Sequence, residues 1–184
     1  MDLFYVKNIL NQKLSMNESK HCLGSLRKKN NSKILITEGR GIIYSAIISK
    51  IQNNQVTYDN LKVVHENRQE TKIHIAIAPT KNKARFEWFL EKVTEIGVDM
   101  ISPVICEYSE RRTINSSRCE KILISAMKQS KKATLPILNS PISFQEIVTQ
   151  ETKNSYIAHC YNNKKKKFKS ILLKSNKPKN ITLF

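Results

Sequence analysis

Over residues 1–71 the apolar positions come in short runs separated by polar turns. Runs at 3–6, 34–36, 42–49, 56–58 and 61–65 predict strands, with Glu38-Gly39-Arg40-Gly41 and Asn53-Asn54 as turns between them. One stretch departs from this rhythm. Cys22, Leu23 and Leu26 share a helical face, which predicts a helix over about 18–27. Short strands with one helix predict a small β-barrel spanning residues 1–71.

Beyond Thr71 the period changes. Residues 73–78 are nearly all apolar, the pattern of a strand covered on both faces. Phe86, Phe89, Leu90, Val93 and Ile96 then predict a helix over 84–96 with that stripe buried, Glu91 and Trp88 off it, and Gly97 as its stop. A strand at 100–105 follows. Ser117 with Glu120 has capping-box spacing for a helix to about Ser130, carrying Ile122, Leu123, Ala126 and Met127. Pro136 and Pro141 punctuate a loop, and the pattern ends with a short helix at 144–149, a strand at 156–160, a basic helix and a last strand at 181–184. Alternating strands and helices predict a parallel α/β sheet over 72–184, a second domain.

Charge adds a class of partner. The 184 residues carry 32 Lys+Arg against 15 Asp+Glu, a net charge of +17. After Glu151 there are nine lysines and no acid. A field of this sign attracts polyanions, of which nucleic acid is the commonest. The run Lys164-Lys165-Lys166-Lys167 fits a phosphate-binding patch and also a solvated face. The longest apolar run is only a few residues, too short to cross a bilayer, and the N-terminus lacks signal-peptide character. A cytoplasmic protein is expected. Cys22, Cys106, Cys119 and Cys160 have no CxxC spacing, and the four histidines are scattered, so neither a disulfide framework nor a metal site is expected.

Composition and pattern give no reaction. Gly39-Arg40-Gly41 precedes a strand, which favours a turn over a dinucleotide loop. Glu87, Glu91 and Glu95 lie on one helix face, where a solvated stripe and an acid/base pair both fit, with Lys92 or Arg85 as partners of Glu87 or Glu95. The cluster Arg27-Lys28-Lys29 suits a helix C-terminus and is compatible with phosphate contact.

Particular words of the sequence are more specific. Met1-Asp2-Leu3-Phe4-Tyr5-Val6, Ser19-Lys20-His21-Cys22-Leu23-Gly24-Ser25-Leu26-Arg27 and Glu38-Gly39-Arg40-Gly41-Ile42-Ile43-Tyr44 occur in order. Ala78-Pro79-Thr80-Lys81-Asn82-Lys83 leads to Glu87-Trp88-Phe89-Leu90-Glu91-Lys92-Val93-Thr94-Glu95-Ile96-Gly97-Val98, and Ala126-Met127-Lys128-Gln129-Ser130 precedes Leu135-Pro136 and Ile157-Ala158-His159. Together they resemble the ribosomal RNA small subunit methyltransferase E family along the whole chain. The resemblance implies an N-terminal PUA-like, RNA-binding barrel and a SPOUT-type α/β methyltransferase domain with a C-terminal knot. It also implies S-adenosylmethionine as cofactor, a homodimer, and methylation of N3 of one uridine in 16S rRNA within the small ribosomal subunit.

Candidates for the RNA side are Arg27, Lys28, Arg40, Lys81, Arg85, Gln129 and Lys132. Lys131-Lys132 stands where the family often has arginine, losing the bidentate fork. The family continues past Ile181-Thr182-Leu183 into a glycine-rich loop and the knot, so most of the cofactor site is expected beyond Phe184. His159 and Cys160 are the candidates here for its edge, and no catalytic base is assigned. On these expectations the chain as given would not methylate, and a non-catalytic rRNA-binding remnant is the alternative reading.

Overall fold

The structure, a computed structural model, describes residues 2–67, 71–150, 154–158, 170 and 178–184. By packing, the chain divides into two compact units. One comprises Met1–Arg68 with Lys121–Leu135, the other Gln69–Glu120 with Pro136–Phe184.

The first unit is built on β1 (Leu3–Tyr5), β2 (Lys33–Thr37), β3 (Ile42–Gln52) and β4 (Gln55–Glu66), in that spatial order. β1 runs parallel to β2, and β2, β3 and β4 are antiparallel neighbours. Asn53 and Asn54 both take positive φ (49° and 59°), which a two-residue hairpin loop with the sheet's own twist requires. The predicted breaks are less sharp than expected. Residues 56–58 and 61–65 form one strand, because the polar Asp59-Asn60 step is absorbed as a register shift with Asn60 left-handed at φ 54°.

The core is one apolar cluster of Phe4, Val6, Ile9, Leu14, Cys22, Ile34, Ile36, Ala46, Ile48, Val56 and Tyr58. The predicted helix starts earlier than expected, as α1 (Met16–Lys20), because the Ser15 Oγ accepts from the Glu18 N–H at 3.2 Å. It continues as a π-turn over His21–Ser25 and ends where Arg27 turns left-handed, the Lys28 N–H returning to the Cys22 carbonyl at 3.0 Å.

The second unit holds β5 (Lys72–Ile77), α2 (Lys83–Ile96), β6 (Met100–Ile105), α3 (Ser116–Gln129), β7 (Ile137–Leu138), β8 (Ile142–Ser143), α4 (Phe144–Gln150), β9 (Ser155–Tyr156) and β10 (Asn180–Leu183), with α3 grouped from Lys121 onward with the first unit. The strand order is β7-β6-β5-β10-β9, with β8 also on β6, and every pairing is parallel. This is the alternating α/β sheet the pattern predicts.

Several details differ. β6, with Ile101, Ser102, Pro103 and Val104 buried, is the deeply covered strand, whereas in β5 only Ala76 is buried and the isoleucines are half-buried. On α2 the buried face is Phe86, Leu90, Val93 and Thr94, while Ile96 is 72% exposed and Phe89 half-buried. At about 100° per residue, Ile96 falls roughly 80° from Phe86 on the side away from Thr94, off the stripe. Thr94 instead donates its hydroxyl to the Leu90 carbonyl at 2.7 Å, which lets a polar residue sit inside. α3 is capped not by Ser117 but by Asn115, whose Oδ1 accepts from the Arg118 N–H at 3.0 Å. The third strand is shorter than expected, at Ser155–Tyr156, and the predicted basic helix lies almost wholly outside the described residues.

Candidate nucleic-acid interface

Two cationic places emerge, one in each unit. In the first unit, Gly39 and Gly41 are both left-handed (φ 74° and 93°), which turns β2 into β3 and leaves Arg40 exposed between them. Residues 133–135 lie against this turn. The Gly41 N–H donates to the Ala133 carbonyl at 2.9 Å, the Leu135 N–H donates to the Gly39 carbonyl at 2.8 Å, and Arg40 bridges Thr134. A Cβ built on Gly39 would lie 2.6 Å from the Leu135 Cβ, so the glycine is required by close approach as well as by φ. The result sets Arg40 beside the segment that carries Lys131 and Lys132. The Thr37 hydroxyl, buried below, donates to the Ile42 carbonyl at 2.7 Å and accepts from the Gly39 N–H at 3.0 Å.

α3 is tied to this unit at its far end. The Lys128 ammonium meets both Glu18 oxygens at 2.6 and 2.8 Å and lies 5.9 Å from the Phe4 ring centre.

In the second unit, loops leave the carboxyl ends of β5 and β6, the edge where ligands bind in open α/β sheets. Here Asn82, Lys83 and Ala84 open α2, Asn115 and Ser116 open α3, and Arg111, Thr113 and Ile114 come from the loop between β6 and α3. These residues line a groove of about 950 Å³, with Phe86 and Cys119 buried at its floor. The Asn82 Oδ1 accepts from the Ala84 N–H at 2.9 Å. Arg118 grips Glu87 with Nε and Nη2 at 2.5 and 2.8 Å, and this fork holds the Glu87 carboxyl below its ordinary range. Arg111 donates from Nη2 to the Lys81 carbonyl at 2.9 Å, while its Nε is buried with no hydrogen-bond partner among the described residues. Burial pushes the Cys119 thiol up.

Comparison with known proteins places this arrangement. Residues 67–184 match the model of an RNA methyltransferase domain, and residues 15–57 match an RNA methyltransferase PUA domain. The chain belongs to the ribosomal RNA small subunit methyltransferase E family. A crystal structure from Porphyromonas gingivalis, described as a probable rRNA-methyltransferase, is 32% identical with a TM-score of 0.86, covering 100% of this chain and 79% of that one. The ribosomal RNA small subunit methyltransferase E of Neisseria gonorrhoeae, solved bound to S-adenosylmethionine, has the same fold, with a TM-score of 0.78 at 24% identity and coverage of 100% and 78%. The protein of that name in Rickettsia conorii is 25% identical over 80% of this chain and 59% of its own length. The chain thus spans less than two thirds of that curated relative, and 41% of a second one from Mesomycoplasma hyopneumoniae.

The residues expected on the RNA side are dispersed by the fold. Arg40, Gln129 and Lys132 belong to the first unit, the first two exposed and Lys132 half-buried. Arg27 is exposed there too, but Lys28 is half-buried and ion-paired with Asp2 at 3.1 Å, an interaction that lowers the Asp2 carboxyl. Lys81 and Arg85 stand exposed in the second unit, Lys81 at 3.1 Å from Glu110. Of the expected carboxylate partners, Glu95 does pair Lys92, at 2.9 Å, joined by Glu91, whereas Glu87 takes Arg118. His159 and Cys160 lie outside the described residues. Sequence reasoning missed Arg111 and Arg118. The available signal was the Arg111-Arg112 pair in the loop after the strand at 100–105, with Arg118 in the first turn of the next helix.

Proposed function

We propose that this protein methylates N3 of one uridine in 16S rRNA of the small ribosomal subunit, using S-adenosylmethionine, in the cytoplasm and as a homodimer. The observation that carries the reading is the union in one chain of an RNA methyltransferase domain with a PUA domain, matched over 67–184 and 15–57. The names of its relatives supply the small-subunit rRNA substrate, and the Neisseria gonorrhoeae structure supplies the cofactor. In this reading residues 1–71 form a PUA-like barrel and residues 72–184 a SPOUT domain of the knotted class. Arg27, Lys28, Arg40, Lys81, Arg85, Gln129 and Lys132 face the RNA. The comparisons favour this over a non-catalytic rRNA-binding remnant.

When bound, the cofactor supplies an electrophilic methyl group on a sulfonium. The groove of the second unit does not fit it, because its lining carries Lys83 and Arg111 while its carboxylate, Glu87, is already held by Arg118, and the sulfonium is itself positive. We therefore assign the cofactor to none of the described residues. What the chain must do for the uridine is lower the cost of losing the imide proton, since neutral N3 is a poor nucleophile. Cations near O2 and O4 do this by stabilising the spreading negative charge.

The test is methyl transfer from isotopically labelled S-adenosylmethionine to small ribosomal subunits that lack the modification, with the product mapped by mass spectrometry. A single N3-methyluridine in 16S rRNA is the expected result. Label on a carbon, a ribose or another RNA would overturn the assignment.

A further inference from the structure

The groove at the carboxyl edge of β5 and β6 holds more positive charge than the described structure uses. Its lining contains Lys83, Arg111 and Arg118 against Glu87. Arg118 is neutralised by Glu87 through both nitrogens of its fork. Arg111 spends one nitrogen on the Lys81 carbonyl and leaves Nε buried and unpaired among the described residues. The openings of α2 and α3, each of 14 residues, line the same space and add partial positive charge. A lining with three cations, Lys83, Arg111 and Arg118, against one carboxylate, Glu87, favours an anionic occupant, and the groove is open and roomy enough for a nucleotide unit.

We propose that this groove binds a phosphodiester of the RNA backbone, with Arg111 and Lys83 as its cations and Glu87 as the group that holds Arg118 in reserve. The proposal rests on the reading that this protein acts on RNA, and adds where in the second unit a phosphate is gripped. Glu87 competes with the phosphate for the Arg118 fork. Removing the carboxylate frees that fork and therefore strengthens RNA binding.

The experiment is fluorescence anisotropy of the full chain with a short labelled single-stranded RNA across a salt series, with melting temperatures in parallel. Arg111→Ala is expected to weaken binding about tenfold. It should also flatten the slope of log K against log salt by about 0.7, one phosphate contact on a single strand. Lys83→Ala, at an exposed position, should flatten the slope similarly without a change in melting temperature. Glu87→Gln should tighten binding. If Lys83→Ala and Glu87→Gln leave both affinity and slope unchanged while the parent chain binds RNA steeply, the groove proposal fails and the RNA reading stands. A parent chain that binds RNA with no salt dependence overturns both. Calorimetry with S-adenosylmethionine separates a carboxylate source of the same anion chemistry. Loss of cofactor binding in Lys83→Ala with RNA binding intact would assign the groove to the cofactor instead.

Discussion

In the first unit β2, β3 and β4 follow one another as hairpins and close over a core whose members are almost completely buried. In the second unit every pairing is parallel, and the strand beside β5 is supplied by residues 180–183, with Lys72 opposite Asn180 and Ile75 opposite Leu183. Parallel neighbours need a crossover, so their contacts are distant in sequence by construction. The contrast shows where local pattern suffices. A hairpin sheet is specified by adjacent words, whereas the order of a parallel sheet is decided by segments that local periodicity cannot pair.

The comparison can be broken most forcefully in α2. Phe86→Ala, at a site only 4% exposed, should cost about 3–5 kcal/mol in chemical denaturation, and a small effect would mean that the helix faces the other way. In the first unit Gly39→Ala places a methyl group at 2.6 Å from Leu135 in a left-handed backbone, for about 2–4 kcal/mol from strain and overlap together. Next comes the cap of α3. Asn115→Ala should cost about 1 kcal/mol and Ser117→Ala much less, and the reverse order would restore the capping box the sequence suggested.

A fourth prediction concerns alkali. Burial pushes the Tyr58 phenol up to about 12 from its ordinary 10.0, with its hydroxyl donating to the Ile9 carbonyl at 3.3 Å. A raised phenol favours the folded state while it is protonated. Stability should thus fall as pH rises from about 10 towards 12. Tyr58→Phe should flatten that limb while costing about 1 kcal/mol at neutral pH. The smallest effect is expected at Ile96, where Ala should change stability by no more than about 0.5 kcal/mol because the side chain is already in solvent.

The legible parts of the sequence were those with strong local signals. The Asn53-Asn54 hairpin, the extent of α2 and its stop at Gly97 (φ 101°), and the alternation of strands and helices after Thr71 all follow from turn chemistry and period. Ile96 misled because five apolar residues at plausible spacing outnumber a buried threonine, and only the Thr94 hydroxyl bond to Leu90 reveals the true face. The first helix began early because Ser15, three residues before Glu18, carried a cap that the apolar face did not announce. The candidate site was less legible still. Arg40 was found from its glycines, but nothing local couples it to residues 133–135, just as nothing local couples Glu18 to Lys128. Arg111 and Arg118 were not singled out, since their meaning comes from their partners Lys81 and Glu87, about thirty residues earlier in the chain.

The lodging of residues 133–135 against the Gly39-Arg40-Gly41 turn bears on how the protein is made. During synthesis the four-stranded sheet is complete as chain once Glu66 has been added, yet the partner of its turn is still about 70 residues away. At roughly 5–20 residues per second, the nascent sheet waits several seconds with the Gly39 carbonyl and Gly41 N–H lacking these partners. The first unit is thus threaded through time as well as space. It can begin folding early, and it acquires its last stitches only after much of the second unit has also been translated.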